Sequence, residues 1–139
     1  MFDVALSSAG AQVVLATSND ENHPPENIID GNTDTFWSST GLFPQEFIIN
    51  FASLMNINSI RLQCYNVRRV AVDRSVQNEP RDFESVAEKE LEPTDGQLQM
   101  EEFMVSNLTA QHLKFTISAA YDHFVTVHRV HVDGTAVHG

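Results

Sequence analysis

One loop of this chain carries oxygen-bearing side chains at a spacing that suits a hard metal ion. Asp30, Asn32 and Thr35 are separated by two and three residues, and Gly31 allows a turn sharp enough to bring their oxygens together. Calcium takes about six to eight such ligands, including backbone carbonyls. The spacing is not that of an EF-hand loop. An Asx-rich turn needs no ion, and composition alone favours that alternative.

Candidates for covalent or acid–base chemistry are few. Asp122 and His123 could form half of a catalytic dyad, but no G-x-S-x-G motif or activated cysteine accompanies them. The single cysteine, Cys64, alternates with Ile60 and Leu62 as on a buried strand face, so we expect an inert thiol. The GxxxxGK(S/T) and GxGxxG motifs are missing, so a nucleotide would have to reside on a partner. The sequence therefore predicts a protein that is not an enzyme.

Aromatic and histidine side chains could bind a saccharide or a metal ion. Trp37, the only tryptophan, could stack on a sugar, but its position directly after Phe36 favours a place in the core. His128 and His131 are three residues apart, so on one strand they would point to opposite faces. We therefore do not expect these two histidines to bind one ion together.

Composition limits the partners. The 139 residues are 42% apolar, which suits a single domain over residues 1–139 with its own core. Eight Lys and Arg stand against 19 Asp and Glu, and the net charge of -11 argues against nucleic acid and anionic membranes. No apolar run approaches the ~18 residues that span a bilayer. The N-terminus lacks the basic region of a secretory signal, and one cysteine suits a reducing compartment, so we expect a cytoplasmic protein without membrane insertion.

The elements that must position these residues have the pattern of β-strands. Apolar residues alternate with polar ones, and turn residues interrupt them every ~8–12 residues. Nine strands are predicted, over residues 4–6, 12–16, 46–51, 60–64, 67–73, 83–90, 98–105, 113–117 and 124–133. Residues 83–91 are also rich in helix formers, and we favour a strand there. Consecutive strands without long helices predict an all-β, antiparallel jelly-roll sandwich of about eight or nine strands.

Two stretches resemble the discoidin-like, galactose-binding-like jelly-roll family. NIIDGNTDTFWSSTGLFPQEFIINF contains a DGN turn, a threonine, a tryptophan and a Pro-Gln pair that opens the next strand. HRVHVDG, near the end of the chain, resembles the last strand of that family. The resemblance covers both ends of the domain and implies the discoidin fold.

The same resemblance implies a structural calcium ion. In calcium-binding members of the family, the turn and the last strand supply the ligands. The matching positions here are Asn27 (carbonyl), Asp30 (carboxylate), Asn32 (carbonyl), Thr35 (hydroxyl and carbonyl), Val132 (carbonyl) and Asp133 (carboxylate). Such an ion would join a loop near the start of the chain to the last strand.

Four phrases in order, HPPENIIDGN, TGLFPQEFII, DGQLQMEE and YDHF, resemble the small discoidin-like subunits of the intraflagellar transport B complex. This likeness runs nearly end to end. It implies a non-enzymatic adaptor of the cilium or flagellum and the cytoplasm. The implied partners are a Rab-like small GTPase, in a stable heterodimer, and other subunits of the complex.

A calcium-dependent carbohydrate-binding module is the alternative function. Discoidin-like lectins hold sugars with exposed aromatic and basic or polar residues on the loops beside the metal. Here those loops offer His23, Phe43 and His123 without a basic clamp, so a saccharide is not the expected partner. The acid-rich run from Glu79 to Glu102 is interpreted as a solvated face, with a binding surface as the alternative.

Overall fold

The computed structural model describes residues 3–18, 22–32, 34–39, 42–94 and 96–137. These ranges contain two short 3-10 helices, Ser7–Ala9 and Pro25–Ile29. They also contain seven strands: β1 Gln12–Ala16, β2 Trp37–Ser38, β3 Gln45–Tyr65, β4 Val67–Ser75, β5 Glu84–Glu90, β6 Gln99–Ala120 and β7 Thr126–Ala136. None of the helices within them is long and apolar enough to cross a membrane.

The two long strands β3 and β6 each pass from one sheet into the other, so both layers of the sandwich contain part of each strand. Residues 45–50 of β3 pair with β1 and with residues 112–117 of β6, whereas residues 55–65 pair with β7 and with residues 99–110 of β6. β4 pairs with β5 and with the second half of β6, and β2 pairs with β7. The first sheet is therefore β1–β3–β6–β4–β5 and the second is β2–β7–β3–β6, with every pairing antiparallel.

One hydrophobic core fills the space between the two sheets. Phe47 stacks on its register partner Phe115, with ring centroids 5.0 Å apart. Trp37, from the second sheet, meets Phe47 edge-on at 5.4 Å. The Trp37 side chain is fully buried, and its indole N–H donates to the carbonyl of Ser18 at 2.8 Å. The prediction that Trp37 belongs to the core is confirmed.

The all-β jelly-roll prediction is confirmed, but the described residues form seven strands rather than eight or nine. The predicted strands at 46–51 and 60–64 are parts of β3, and those at 98–105 and 113–117 are parts of β6. The strand predicted at residues 4–6 is wrong. Its backbone turns because the Asp3 carboxylate accepts a hydrogen bond from the Ala5 N–H at 3.0 Å. The short strand β2 was not predicted.

The strand prediction for residues 83–90 is confirmed, since β5 pairs along β4. Cross-strand ion pairs accompany this ladder, among them Arg69–Glu88 at 3.4 Å and Arg74–Glu84 at 3.5 Å. The backbone pairing with β4 outweighs the helix propensity of glutamate and lysine, and the exposed ion pairs add little to it.

A buried histidine lies beneath the loop that joins β4 to β5. His112 of β6 is only 1% exposed, and its Nδ1 is buried without a hydrogen-bond partner in the described part of the chain. Burial lowers the pKa of His112 below its usual range, and a hydrogen bond with the Gln77 backbone opposes this effect. The fold therefore favours the neutral imidazole.

We expect this histidine to make the protein less stable in mild acid. Its contribution to stability is complete above the unfolded pKa of about 6.5, and it is lost as the pH falls through that value toward the lower folded pKa. Urea midpoints at pH 7.5 and 5.5 should therefore differ less in His112→Gln than in the wild type. His123→Gln, at an exposed position, is the control and should keep the wild-type difference. An unchanged difference in His112→Gln would contradict the prediction.

Candidate functional site

The predicted metal loop follows a 3-10 helix that is anchored in the core. Pro25 begins this helix, and Ile28 and Ile29 near its end are buried. Asp30 comes directly after the helix, and Gly31 follows with a φ of +79°. A Cβ at Gly31 would lie 3.0 Å from the Leu6 side chain, so glycine suits this position on both backbone and steric grounds.

Three of the predicted ligands meet in this loop. The Thr35 hydroxyl oxygen lies 2.5 Å from Oδ2 of Asp30 and 2.9 Å from the carbonyl oxygen of Asn32. Oδ1 of Asp30 accepts the backbone N–H of Asn32 at 2.8 Å. This is the Asx turn of the simpler interpretation, and it also brings a carboxylate, a carbonyl and a hydroxyl together.

The other three predicted ligands lie close to the loop in sequence or on the last strand. The Asn27 side-chain amide donates to the Phe36 carbonyl at 3.1 Å and so closes the loop. On β7, the Val132 carbonyl accepts the N–H of Val4 at 2.9 Å, and Asp133 forms a β-bridge with Asp3. The 3-10 helix before the loop packs against β7.

The loop offers a carboxylate, a carbonyl and a hydroxyl oxygen, which are donors that a hard divalent cation takes. All eight Lys and Arg side chains form ion pairs. In the described ranges, the ion pairs do not include Asp30, Asp34 or Asp133. Oδ1 of Asp133 is also buried without a hydrogen-bond partner there. Because no group of three or more His, Cys, Asp or Glu side chains in metal-binding arrangement occurs among the described residues, carbonyl and hydroxyl oxygens would have to complete the ligand set.

A buried aspartate ties the start of the chain to its last strand. Oδ1 of Asp3 accepts the N–H groups of Ala5 and Val132, each at 3.0 Å. Its Oδ2 lies 2.9 Å from Arg129 Nη2 and 3.3 Å from His131 Nδ1. The sequence did not predict this cluster, because its members are about 126 residues apart and no local motif joins them.

His128 and His131 of β7 have different surroundings. The predicted reason was the strict alternation of side chains between the two faces of a strand, and this alternation does not hold here. A register shift opposite Gln63 and Cys64 leaves Val127 and Val130 both buried, so the simple alternation between them is broken. His128 and His131 are both half-buried. His128 lies 5.0 Å from the ring of Phe36, while His131 contacts Asp3.

The candidate dyad is engaged locally. Asp122 Oδ1 accepts the backbone N–H of His123 at 2.7 Å, and both residues are exposed. Oδ1 of Asp122 therefore binds the backbone of its own turn. In a catalytic dyad, a carboxylate oxygen would instead accept a hydrogen bond from the imidazole ring.

The three candidate sugar contacts do not share one surface environment. His23 stacks on Phe36, with centroids 4.2 Å apart and an interplanar angle of 15°. Phe43 packs against the core, and His123 is exposed. An aromatic platform made of His23, Phe43 and His123 is therefore not evident from their contacts.

Most of the acidic run is neutralised within the molecule. Its ion pairs are Glu79–Arg81, Glu84–Arg74, Glu88–Arg69, Glu90–Arg68, Glu101–Lys89 and Glu102–Arg61. Asp95 lies outside the described residues. Most of these paired side chains are exposed, which supports the interpretation of the acidic run as a solvated, charged face. Exposed ion pairs of this kind contribute little stability.

The surroundings of the only cysteine, Cys64, make its thiol unreactive. Cys64 is fully buried, and its Sγ lies 3.5 Å from Oε1 of Gln99. Burial, helped by the nearby Glu101 carboxylate, raises the pKa of the thiol to about 12. At neutral pH the thiolate is therefore scarce, and the prediction of an inert thiol is confirmed.

Solved structures with this architecture include sugar-binding domains. The C-terminal domain of a chitobiase from Bacteroides fragilis superposes with a TM-score of 0.79 at 22% identity, covering 96% of this chain and 99% of that one. The family 32 carbohydrate-binding module of Clostridium perfringens NanJ, in complex with galactose, gives 0.77 at 18% identity, covering 93% and 97%. At these identities the likeness shows the fold alone.

Comparison at the level of sequence shows the family. Residues 13–130 match the F5/8 type C domain. The human intraflagellar transport protein 25 homolog is 51% identical over 136 residues, which cover 98% of this chain and 94% of that protein. Intraflagellar transport protein 25 of Chlamydomonas reinhardtii is 42% identical over 134 residues, covering 96% and 70%. The chain therefore belongs to the F5/8 type C domain family and, within it, to the family of intraflagellar transport protein 25.

Proposed function

We propose that this chain is a non-enzymatic structural and adaptor subunit of the intraflagellar transport B complex. The observation that carries the proposal is 51% identity across 98% of the chain with a relative named for intraflagellar transport. The proposed sites of action are the cilium or flagellum and the cytoplasm. The proposed partners are a Rab-like small GTPase, in a stable heterodimer, and other subunits of the complex.

The side chains support a role in presenting a surface. The sequence has no phosphate-binding motif, so the nucleotide is assigned to the partner. Asp122 is engaged in its own turn, and the thiol of Cys64 is buried. A lasting heterodimer should bury at least ~1,200 Å² around an apolar centre, so salt alone should not separate the two chains.

We also propose structural Ca²⁺ at the loop. Asp30, Asn32 and Thr35 already meet there, and Asn27, Val132 and Asp133 would complete the set. When bound, the ion would supply positive charge to carboxylates that have no cation of their own in the described ranges. We propose that these residues stabilise the fold and lie outside the interface with the GTPase.

Co-expression with the Rab-like GTPase, followed by gel filtration at low salt and at ~0.5 M salt, tests the heterodimer. We expect the two chains to elute together at a one-to-one ratio under both conditions. Asp30→Ala should still co-elute, because the loop lies outside the proposed interface. Separate elution of the wild-type chains under both conditions would overturn the proposal, and loss only at high salt would contradict an apolar interface.

A calcium-dependent carbohydrate-binding module is the second candidate. One observation favours it: the His23–Phe36 stack, with His128 5.0 Å from Phe36, lies beside the loop. We expect simple galactosides at millimolar concentration not to bind. A reproducible titration that is lost in His23→Ala would favour this candidate instead.

A further inference from the structure

The loop between β4 and β5, residues 76–83, is held by a small number of contacts. At the end of β4, the Ser75 hydroxyl donates a hydrogen bond to the Arg81 carbonyl and accepts the N–H of Gln77 at 3.2 Å. The Arg81 N–H donates to the Glu79 carbonyl at 2.8 Å. All of residues 76–83 lie outside the helices and strands. A segment with so few bonds can open without the unfolding of its neighbours.

The far end of the β4–β5 loop combines a favourable contact with a strained residue. The Lys114 ammonium lies 4.7 Å from the centre of the Phe83 ring. Asp82, directly before Phe83, has a φ of +57°, in the left-handed region that is unfavourable for residues with a Cβ. Opening of the loop would release this conformation. The contacts at the beginning of the loop, around Ser75, must therefore offset this strain.

A buried imidazole lies at the point where these contacts meet. His112 of β6 is the register partner of Ser75, and it forms a hydrogen bond with the Gln77 backbone. Its Nδ1 is buried without a hydrogen-bond partner in the described part of the chain. In an imidazolium both ring nitrogens are donors, so protonation would create a buried N–H without an acceptor. Opening of the β4–β5 loop would let water reach the ring and remove this cost.

The surrounding charges do not supply a counterion for a charged His112. The charged residues on the adjoining segments are Lys114 of β6, Asp73 and Arg74 of β4, Glu46 of β3, Glu84 of β5, and Glu79, Arg81 and Asp82 of the loop. Six of these form the pairs Lys114–Asp73 at 3.9 Å, Arg74–Glu84 at 3.5 Å and Arg81–Glu79 at 3.8 Å. Among the described residues, His112 is in no ion pair. The closed loop therefore accommodates the neutral ring better than the charged one.

We propose that the protonation state of His112 controls the β4–β5 loop. With a neutral imidazole the loop is closed, and with a charged imidazole the loop opens while the two sheets stay folded. The proton comes from solvent and binds Nδ1, and the new N–H donates to water in the open form. This goes beyond the loss of overall stability expected for His112, because it assigns the acid response to one segment of the chain. It does not depend on the proposed role in transport.

Proton linkage gives the direction and the size of the effect. In the open form the ring is solvated and has a pKa of about 6.5, whereas burial holds the pKa of His112 in the closed form below its usual range. The closed loop is therefore fully favoured above pH ~6.5 and loses stability as the pH falls through that value. Between pH 7.5 and pH 5.5 the open population should rise severalfold, with a ceiling of about tenfold if the closed form binds no proton.

Hydrogen exchange followed by NMR at pH 7.5 and pH 5.5 tests the proposal at the hydrogen-bonded amides of Gln77 and Arg81. After correction for the intrinsic pH dependence of exchange, their protection should fall severalfold in the wild type. The fall should be the same in His123→Gln, at an exposed position, and absent in His112→Gln. At both pH values these amides should exchange faster than those of β3 and β6. Their exchange should also be nearly unchanged by ~1 M urea, because a local opening exposes little surface.

Ser75→Ala is the second variant. It removes both hydrogen bonds of the hydroxyl, so protection at Gln77 and Arg81 should fall at both pH values while the ratio between the two pH values stays as in the wild type. Three results would each overturn the proposal. The first is an equal fall with pH in His112→Gln, and the second is a wild-type loop with the same protection at both pH values. The third is wild-type exchange of the loop amides at the rate and with the urea dependence of the β6 amides, which would mean that the loop opens only when the whole chain unfolds. The second and third are measured on the wild type, so they hold even if His112→Gln does not fold.

Discussion

Replacing Trp37 with alanine should remove about 3–5 kcal/mol from the free energy of unfolding. The side chain is fully buried, and it links the second sheet to the first through its contact with Phe47. Its removal leaves a cavity between the sheets and also leaves the Ser18 carbonyl without the indole N–H. Urea unfolding followed by circular dichroism measures the loss, because the variant has no tryptophan left for fluorescence.

Trp37→Phe is the matched control. It retains an aromatic ring against Phe47 but lacks the donor to Ser18, so its loss should be clearly smaller. A Trp37→Ala loss below about 1 kcal/mol would mean that this residue does not join the two sheets.

Calcium should stabilise the wild-type chain by about 2.7 kcal/mol when its free concentration is a hundredfold above Kd. An excess of chelator should lower the melting temperature by several degrees, and Asp30→Ala should remove the response to calcium. The physical reason is that the ion would bind only where the loop and the last strand are folded together.

Asp122→Ala is the control for the calcium experiment. Asp122 is also an exposed aspartate that accepts a backbone N–H in its own turn, but it is not one of the proposed ligands. Its variant should respond to calcium like the wild type. An unchanged wild-type melting curve with chelator, under conditions shown to strip bound metal, would contradict the site.

The strands that the sequence predicted well are those in which inward and outward residues differ clearly. The bounds of β1 were predicted at residues 12–16, and the alternation at Leu113, Phe115 and Ile117 correctly identified a buried side of β6. The continuity of β3 was not predicted. Its buried positions change parity between Ile57 and Ile60, where the register shifts, and a period-two pattern cannot follow such a change.

Local hydrogen bonds explain the errors near the start of the chain. Val4 and Ala5 are buried and apolar, as in a strand, but the Asp3 carboxylate turns the backbone and binds the N–H of Val132. A pattern within three residues contains no sign of a partner on the last strand. The two-residue strand β2 is too short to show any alternation at all.

The candidate site was partly accessible to sequence reasoning. The spacing of Asp30, Asn32 and Thr35 predicted oxygens that could meet, and the structure brings them into contact. Val132 and Asp133 could be proposed only through a family resemblance, since about a hundred residues separate them from the loop. The exposure of Met100 and Met104 was not predicted, because a methionine within a strand pattern looks like a core residue until the strand register is known.

The central claim, that this chain is a subunit of the intraflagellar transport B complex, is tested most directly by purifying a tagged chain from ciliated cells and identifying its partners by mass spectrometry. We predict a Rab-like GTPase in amounts nearly equal to the tagged chain, together with other subunits of that complex. Recovery of the chain without any transport subunit, or with glycoproteins that galactose releases, would contradict the claim.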